Sequence, residues 1–155
     1  MREDDRADRS RCGKPWRRSA TTVIVADASV LVVALADDGP DGDLARARLA
    51  GERLVMPEVA DLEVASVLRR QLHAGAVDAR RAGLALDDLA ALPARRAPHR
   101  PLLARCWELR DYLTPYDAAY VALAEAMRAT LLTGDRRLAR APGPHCDIEI
   151  LQPAP

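Results

Sequence analysis

Apolar residues along this chain arrive as short β-branched runs set between longer stretches of helical period. Val23-Ile24-Val25 reads as a buried strand. Asp27-Ala28-Ser29 then caps a helix over Val30 to Ala36, and Asp37 to Gly42 is a turn. A short helix follows from Asp43 to Ala50. Leu54-Val55-Met56 is a second strand, stopped by Pro57, and Pro57 opens a long helix to His73 that Gly75 ends. Asp78 opens another helix to Ala91. Leu92 to Pro101 is a proline-rich basic connection with room for a brief strand, and Leu102 to Arg110 is helical. Thr114-Pro115 opens a helix to Ala129, Thr130 to Thr133 is a strand, and Gly134-Asp135 leads into a one-turn helix. Ile148 to Ile150 is the last strand. Strands alternating with helices in this way predict an α/β fold in three layers, a central parallel sheet flanked by helices.

Composition is compatible with that picture. The chain has 155 residues, enough for one domain, and 49% of them are apolar. With no Phe and 3% aromatics, the core must be built from Ala, Leu and Val. Formal net charge is zero, so a nucleic acid would have to meet a local basic patch rather than an overall field. Lys14 is the only lysine, which removes phosphate-binding loops and receiver domains from consideration. Cys12, Cys106 and Cys146 are far apart and odd in number. They form no ligand spacing with His73, His99 or His145, so neither a zinc site nor a disulfide framework is expected, and a reducing cytoplasm is the natural location.

Residues 1–21 stand apart. Met1 to Ala20 is dense in both signs of charge without apolar period, the composition of a disordered extension. Arg17-Arg18, the apolar stretch from Val23 and Ala34-Leu35-Ala36 imitate a secretory leader. Asp27 interrupts that stretch, and Asp4, Asp5 and Asp8 are foreign to such a leader. A misassigned start codon accounts better for the abrupt onset of pattern at Val23. The folded domain is expected over residues 22–152, with 153–155 a tail. No run reaches transmembrane length without a charge.

The candidate chemistry lies in four acids: Asp27, Glu63, Asp117 and Asp135. Three of them stand where an apolar run meets the next helix, the edge at which a parallel α/β sheet presents its site. Carboxylates gathered there repel unless a cation lies between them, and a hard divalent ion suits oxygen donors. Each acid also has an ordinary alternative. Asp27 can cap the first helix, although Ser29 can do so equally well. Glu63 lies inside a helix beside Val59, Ser66 and Val67, where an ion pair with Arg70 would satisfy it. Spacing alone does not prefer it over Asp61, whose neighbours Val64, Ala65 and Leu68 are also apolar. Thr114-Pro115-Tyr116-Asp117 fits a capping box, and Asp135 after Gly134 fits a turn. Ser29 and Thr133 are hydroxyls placed to orient a carboxylate or hold a metal-bound water. Arg136 and Arg137 adjoin Asp135, where cations would receive a phosphate backbone.

Four local motifs together resemble the PIN-domain nucleases, and within them the VapC toxins of bacterial toxin–antitoxin pairs. They are Val23-Ile24-Val25-Ala26-Asp27-Ala28-Ser29-Val30-Leu31; Pro57-Glu58-Val59 with Leu62-Glu63-Val64-Ala65-Ser66-Val67-Leu68-Arg69-Arg70; Tyr116-Asp117-Ala118-Ala119-Tyr120-Val121-Ala122-Leu123-Ala124-Glu125; and Leu131-Leu132-Thr133-Gly134-Asp135-Arg136-Arg137-Leu138. Each alone is weak, but four in order and spacing are specific, and they extend from Val23 to Leu151. The charged N-terminus departs from the family pattern.

The resemblance selects Glu63 over Asp61. It implies a PIN-like fold with Asp27, Glu63, Asp117 and Asp135 as catalytic and metal-binding residues around Mg²⁺ or Mn²⁺. It implies an endoribonuclease held inactive by a VapB-like antitoxin whose C-terminal segment enters the site, and a homodimer without membrane association. Metal-assisted hydrolysis of this kind leaves a 5′-phosphate and requires neither histidine nor the RNA 2′-hydroxyl. Two other functions share these residues: an RNA-processing PIN nuclease outside toxin–antitoxin systems, and a catalytically silent module binding RNA or protein.

Overall fold

The computed structural model describes residues 22–152, so the expectations for 1–21 and 153–155 lie outside the described residues. Five parallel strands form one sheet in the order β3-β2-β1-β4-β5. They are β1 (Val23–Ala26), β2 (Arg53–Pro57), β3 (Arg95–Ala97), β4 (Thr130–Thr133) and β5 (Ile148–Ile150). Every strand is short, and the three central ones are almost wholly buried. That is why they read as continuous apolar runs rather than alternating ones. Side chains still alternate between the two faces. Val25, Val55 and Leu131 enter the main core, while Ile24, Leu54 and Leu132 form a smaller cluster with Val30.

Seven helices flank the sheet among the described residues, completing the three-layer α/β/α arrangement: α1 (Ala28–Ala36), α2 (Pro40–Leu49), α3 (Val59–His73), α4 (Ala79–Ala91), α5 (Leu103–Glu108), α6 (Pro115–Met127) and α7 (Arg136–Arg140). α1 packs against α2, α3 and α4, whereas α5 packs on α6. α6 is buried from Ala118 to Ala124, and its small alanines let it lie close to β1 and β2. No helix among the described residues is long and apolar enough to cross a membrane. Cys106 and Cys146 are both free thiols.

Several boundaries differ from the sequence pattern, each for a local reason. α2 begins at Pro40 rather than Asp43, because Pro40 takes the first helical turn and the Gly39 N–H is held 2.6 Å from Asp37 Oδ1. Gly42 is required there, since a Cβ would lie 1.8 Å from the Asp37 carbonyl oxygen. Pro57 does not open α3 but ends β2 opposite Ala97. The hydrogen bond to the Ala97 carbonyl is supplied by the Glu58 N–H, so the missing proline donor costs the ladder nothing there. α6 stops at Met127, where Arg128 turns left-handed at φ 50°. A single 3-10 turn, Arg100–Leu102, precedes α5.

Candidate active site

β1 and β4 lie side by side at the centre of the sheet, and the chain leaves them for helices on opposite outward paths. A crevice opens at their carboxyl ends. Asp27 follows β1 directly and Asp135 follows β4 across Gly134. α3 and α6 bring Glu63 and Asp117 to the same place. All four acids line one cleft of about 560 Å³.

Asp27 stands at the N-cap position of α1, but its side chain makes no capping bond. Its carboxylate instead accepts from Ser29 Oγ at 2.8 Å and from the buried Thr133 Oγ1 at 2.5 Å, both on Oδ2. Ser29 is therefore not the cap either. It sits in the first turn, and its hydroxyl accepts the Gly134 N–H at 2.9 Å. Thr133 Oγ1 accepts the Asp135 N–H at 3.0 Å. Two hydroxyls thus connect the first acid to the backbone carrying the fourth.

Glu63 is half-buried and accepts from the Tyr120 hydroxyl at 2.6 Å. The anticipated alternative, an ion pair with Arg70, is absent; Arg70 reaches Ser66 Oγ at 3.4 Å and lies along the cleft. Asp61 is committed elsewhere, paired with Arg96 of β3 at 3.2 Å. Asp117 closes only half a capping box. Thr114 Oγ1 accepts the Asp117 N–H at 3.2 Å and donates to Asp117 Oδ2 at 2.9 Å, so the carboxylate is held by a hydroxyl and not by backbone. Asp135 caps α7 by accepting the Arg137 N–H at 2.8 Å. The Arg137 guanidinium also grips it, with Nη2 2.8 Å from Oδ2. Arg136 turns toward Gln152, 3.0 Å away.

The electrostatics follow from this crowding. Burial raises the Glu63 carboxyl above its usual range. The Tyr120 hydroxyl opposes that shift, and the negative charges of Asp27 and Asp117 add to it. Burial likewise raises Asp117 against the Thr114 hydroxyl, with Asp27 and Asp135 reinforcing the rise and Arg137 countering it. The Arg137 guanidinium holds Asp135 below its usual range. The acids therefore feel one another across the cleft, a repulsion that a cation between them would relieve.

Among the described residues, no three His, Cys, Asp or Glu side chains converge closely enough to hold an ion as they stand. Each acid is instead turned onto a protein donor: a hydroxyl for Asp27, Glu63 and Asp117, and a guanidinium for Asp135. The donor set still fits a hard divalent ion. It is all carboxylate oxygen, mutually repelling and lacking the nitrogen or sulfur that softer metals prefer.

Two residues of this site escape a reading by motif alone. Tyr120 is signalled only by its place one turn beyond Asp117 on α6, and Arg70 only by its place two turns beyond Glu63 on α3.

Known proteins resemble this chain in sequence and in fold. A family model described as PIN domain matches residues 24–144. Ribonuclease VapC1 of Mycobacterium tuberculosis is 42% identical over 129 residues, which cover 83% of this chain and 97% of that protein. Among solved structures, PAE2754 from Pyrobaculum aerophilum superposes with a TM-score of 0.60 at 26% identity, covering 83% of each chain. VapBC2 from Rickettsia felis, solved bound to a DNA fragment from its promoter, gives a TM-score of 0.61 at 14% identity over 83% of this chain and 98% of that one; it speaks for the fold alone. The chain belongs to the PIN-domain family. Within that family it groups with the VapC ribonucleases, as the four motifs lead one to expect.

Proposed function

We propose that this chain is a VapC-type endoribonuclease toxin that hydrolyses RNA phosphodiester bonds with Mg²⁺ or Mn²⁺ and is neutralised by a small VapB-like antitoxin. The convergence of Asp27, Glu63, Asp117 and Asp135 on one cleft carries the reading. The names of its relatives support the ribonuclease, and the antitoxin rests on the resemblance of the four motifs to the VapC toxins. A cytoplasmic homodimer belongs to the same reading, and Leu62, Leu103, Trp107 and Tyr116 give it exposed apolar surface.

The four acids would hold the ion. When bound, it supplies a water acidic enough to attack near neutral pH and positive charge for the phosphate oxygens. The protein's own part is orientation. Ser29 and Thr133 fix Asp27, Tyr120 fixes Glu63, and Thr114 fixes Asp117. Arg137 and Arg70 place cations at the rim, where a phosphate backbone would otherwise meet only carboxylates. No histidine lines the cleft among the described residues, so proton transfer falls to water and carboxylate.

Cleavage of bulk cellular RNA by the purified chain, with Mg²⁺ or Mn²⁺ and with chelator, tests the proposal. Discrete metal-dependent fragments bearing 5′-phosphates are expected, and Asp117→Asn should abolish them. No cleavage by folded, metal-supplied, antitoxin-free protein would favour a silent binding module. Co-purification of a small protein encoded beside this chain separates a toxin from an RNA-processing nuclease.

A further inference from the structure

Among the described residues Tyr120 is the largest fully buried side chain, 1% exposed, yet it carries a hydroxyl. A buried phenol must find a partner, and this one donates to Glu63 Oε2 at 2.6 Å. Glu63 in turn faces Asp27 and Asp117 across the cleft that all three line. Tyr120 lies one turn beyond Asp117 on α6. One hydrogen bond therefore joins α6, which carries Asp117, to α3, which carries Glu63.

This arrangement has a polarity. The phenol has one proton to give, and it gives it to the Glu63 carboxylate, which can only accept. Burial, the hydrogen bond to Glu63 and the Glu63 charge push the phenol above its ordinary range. A phenylalanine at this position would fill the same space. It would leave the half-buried Glu63 without its hydrogen-bond donor. A core-filling role does not require the hydroxyl; orienting a carboxylate does.

We propose that Tyr120 is a positioning residue for the metal site, its hydroxyl holding Glu63 in register with Asp27 and Asp117. The proposal rests on the metal-nuclease reading above. It places Tyr120 outside the group that touches metal or substrate, and makes its whole effect pass through Glu63.

A double-mutant cycle tests this, with Mn²⁺ affinity measured by calorimetry on the full chain and RNA cleavage measured alongside. Tyr120→Phe should weaken Mn²⁺ binding by about tenfold, the lower end for lost support of a metal ligand. It should lower kcat with KM for RNA unchanged. In a Glu63→Gln background, the same substitution should change Mn²⁺ affinity by less than about twofold. Equal losses in both backgrounds would make the hydroxyl a general prop of the fold and overturn the proposal. Unchanged affinity in Tyr120→Phe with a folded melting profile would also overturn it, while leaving the nuclease reading intact. If the wild-type chain itself bound no Mn²⁺, the metal reading would fall and this proposal with it.

Discussion

Arg137 holds both carboxylate oxygens of Asp135, with Nε 3.2 Å from each and Nη2 2.8 Å from Oδ2. The guanidinium thus occupies the fourth acid in the way a metal ion would, and an arriving cation must compete with it. Its side chain is 90% exposed, so the pair adds little to the stability of the fold. Arg137→Ala should leave the melting temperature unchanged and tighten Mn²⁺ binding. Weaker Mn²⁺ binding in a calorimetric titration would show that Arg137 assists the site in place of guarding it.

Asp117→Asn separates catalysis from capping. The amide keeps an oxygen for the Thr114 hydroxyl and a backbone N–H for Thr114 Oγ1, so the helix start should survive. RNA cleavage should fall by orders of magnitude, on the order of 10² or more for a lost metal ligand. The melting temperature in chelator should hold or rise, because a charge repelled by Asp27 and Asp135 is gone. A clear fall in melting temperature would assign Asp117 chiefly to the cap.

The two sets of acids pull stability in opposite directions with pH. Glu63 and Asp117 are raised above 4.5 and 3.8, so the folded state takes up their protons more readily than the unfolded chain. Their contribution is present below those values and is lost as pH rises through the higher folded ones. Glu125 runs the other way. Burial would raise it, but hydrogen bonds from Arg105 and the His145 N–H hold it below 4.5. Its contribution is present above 4.5 and is lost as pH falls through the lower folded value. Melting temperature against pH in chelator should therefore decline on both sides. Asp117→Asn should flatten the neutral side, and Arg105→Ala the acid side. A wild-type decline toward neutral pH that survives in Asp117→Asn would remove the carboxylate repulsion as its cause.

Thr133→Val keeps shape and removes the oxygen between Asp27 and Asp135. It strands the Asp135 N–H, so a loss of about 1–3 kcal/mol in denaturant unfolding is expected. Mn²⁺ affinity should fall as well, since Asp27 loses one of two donors. Thr133→Ser should restore both quantities in large part; failure of serine to rescue would shift the explanation to packing of the threonine methyl.

The strand-end acids are legible in the sequence because a short apolar strand with an Asp at its carboxyl end leaves few placements for that Asp. Val23 to Asp27 and Thr130 to Asp135 are both of this kind. Asp117 is ambiguous for a physical reason: the Thr114 hydroxyl both accepts from its backbone and donates to its side chain, so cap and site use one geometry. Glu63 and Asp61 are separated only by partners distant in sequence, Tyr120 for one and Arg96 for the other, and helical spacing contains neither. Tyr120 hides for the same reason, as an aromatic residue on an apolar helix face reads as core until its hydroxyl is seen on a carboxylate. Pro57 misleads because proline suits the start of a helix and, equally, the last position of a strand whose next bond comes from its neighbour.

The Thr133 bond to Asp27 joins residues 106 apart in sequence, and β4 must lie beside β1 before it can form. The cutting centre is therefore assembled late. A nascent chain still on the ribosome holds Asp27, Glu63 and Asp117 before it holds Thr133 or Asp135. On the nuclease reading proposed above, a chain that would cut RNA is thus made on RNA in an incompetent form, and it gains its full set of acids only once β4 has joined β1.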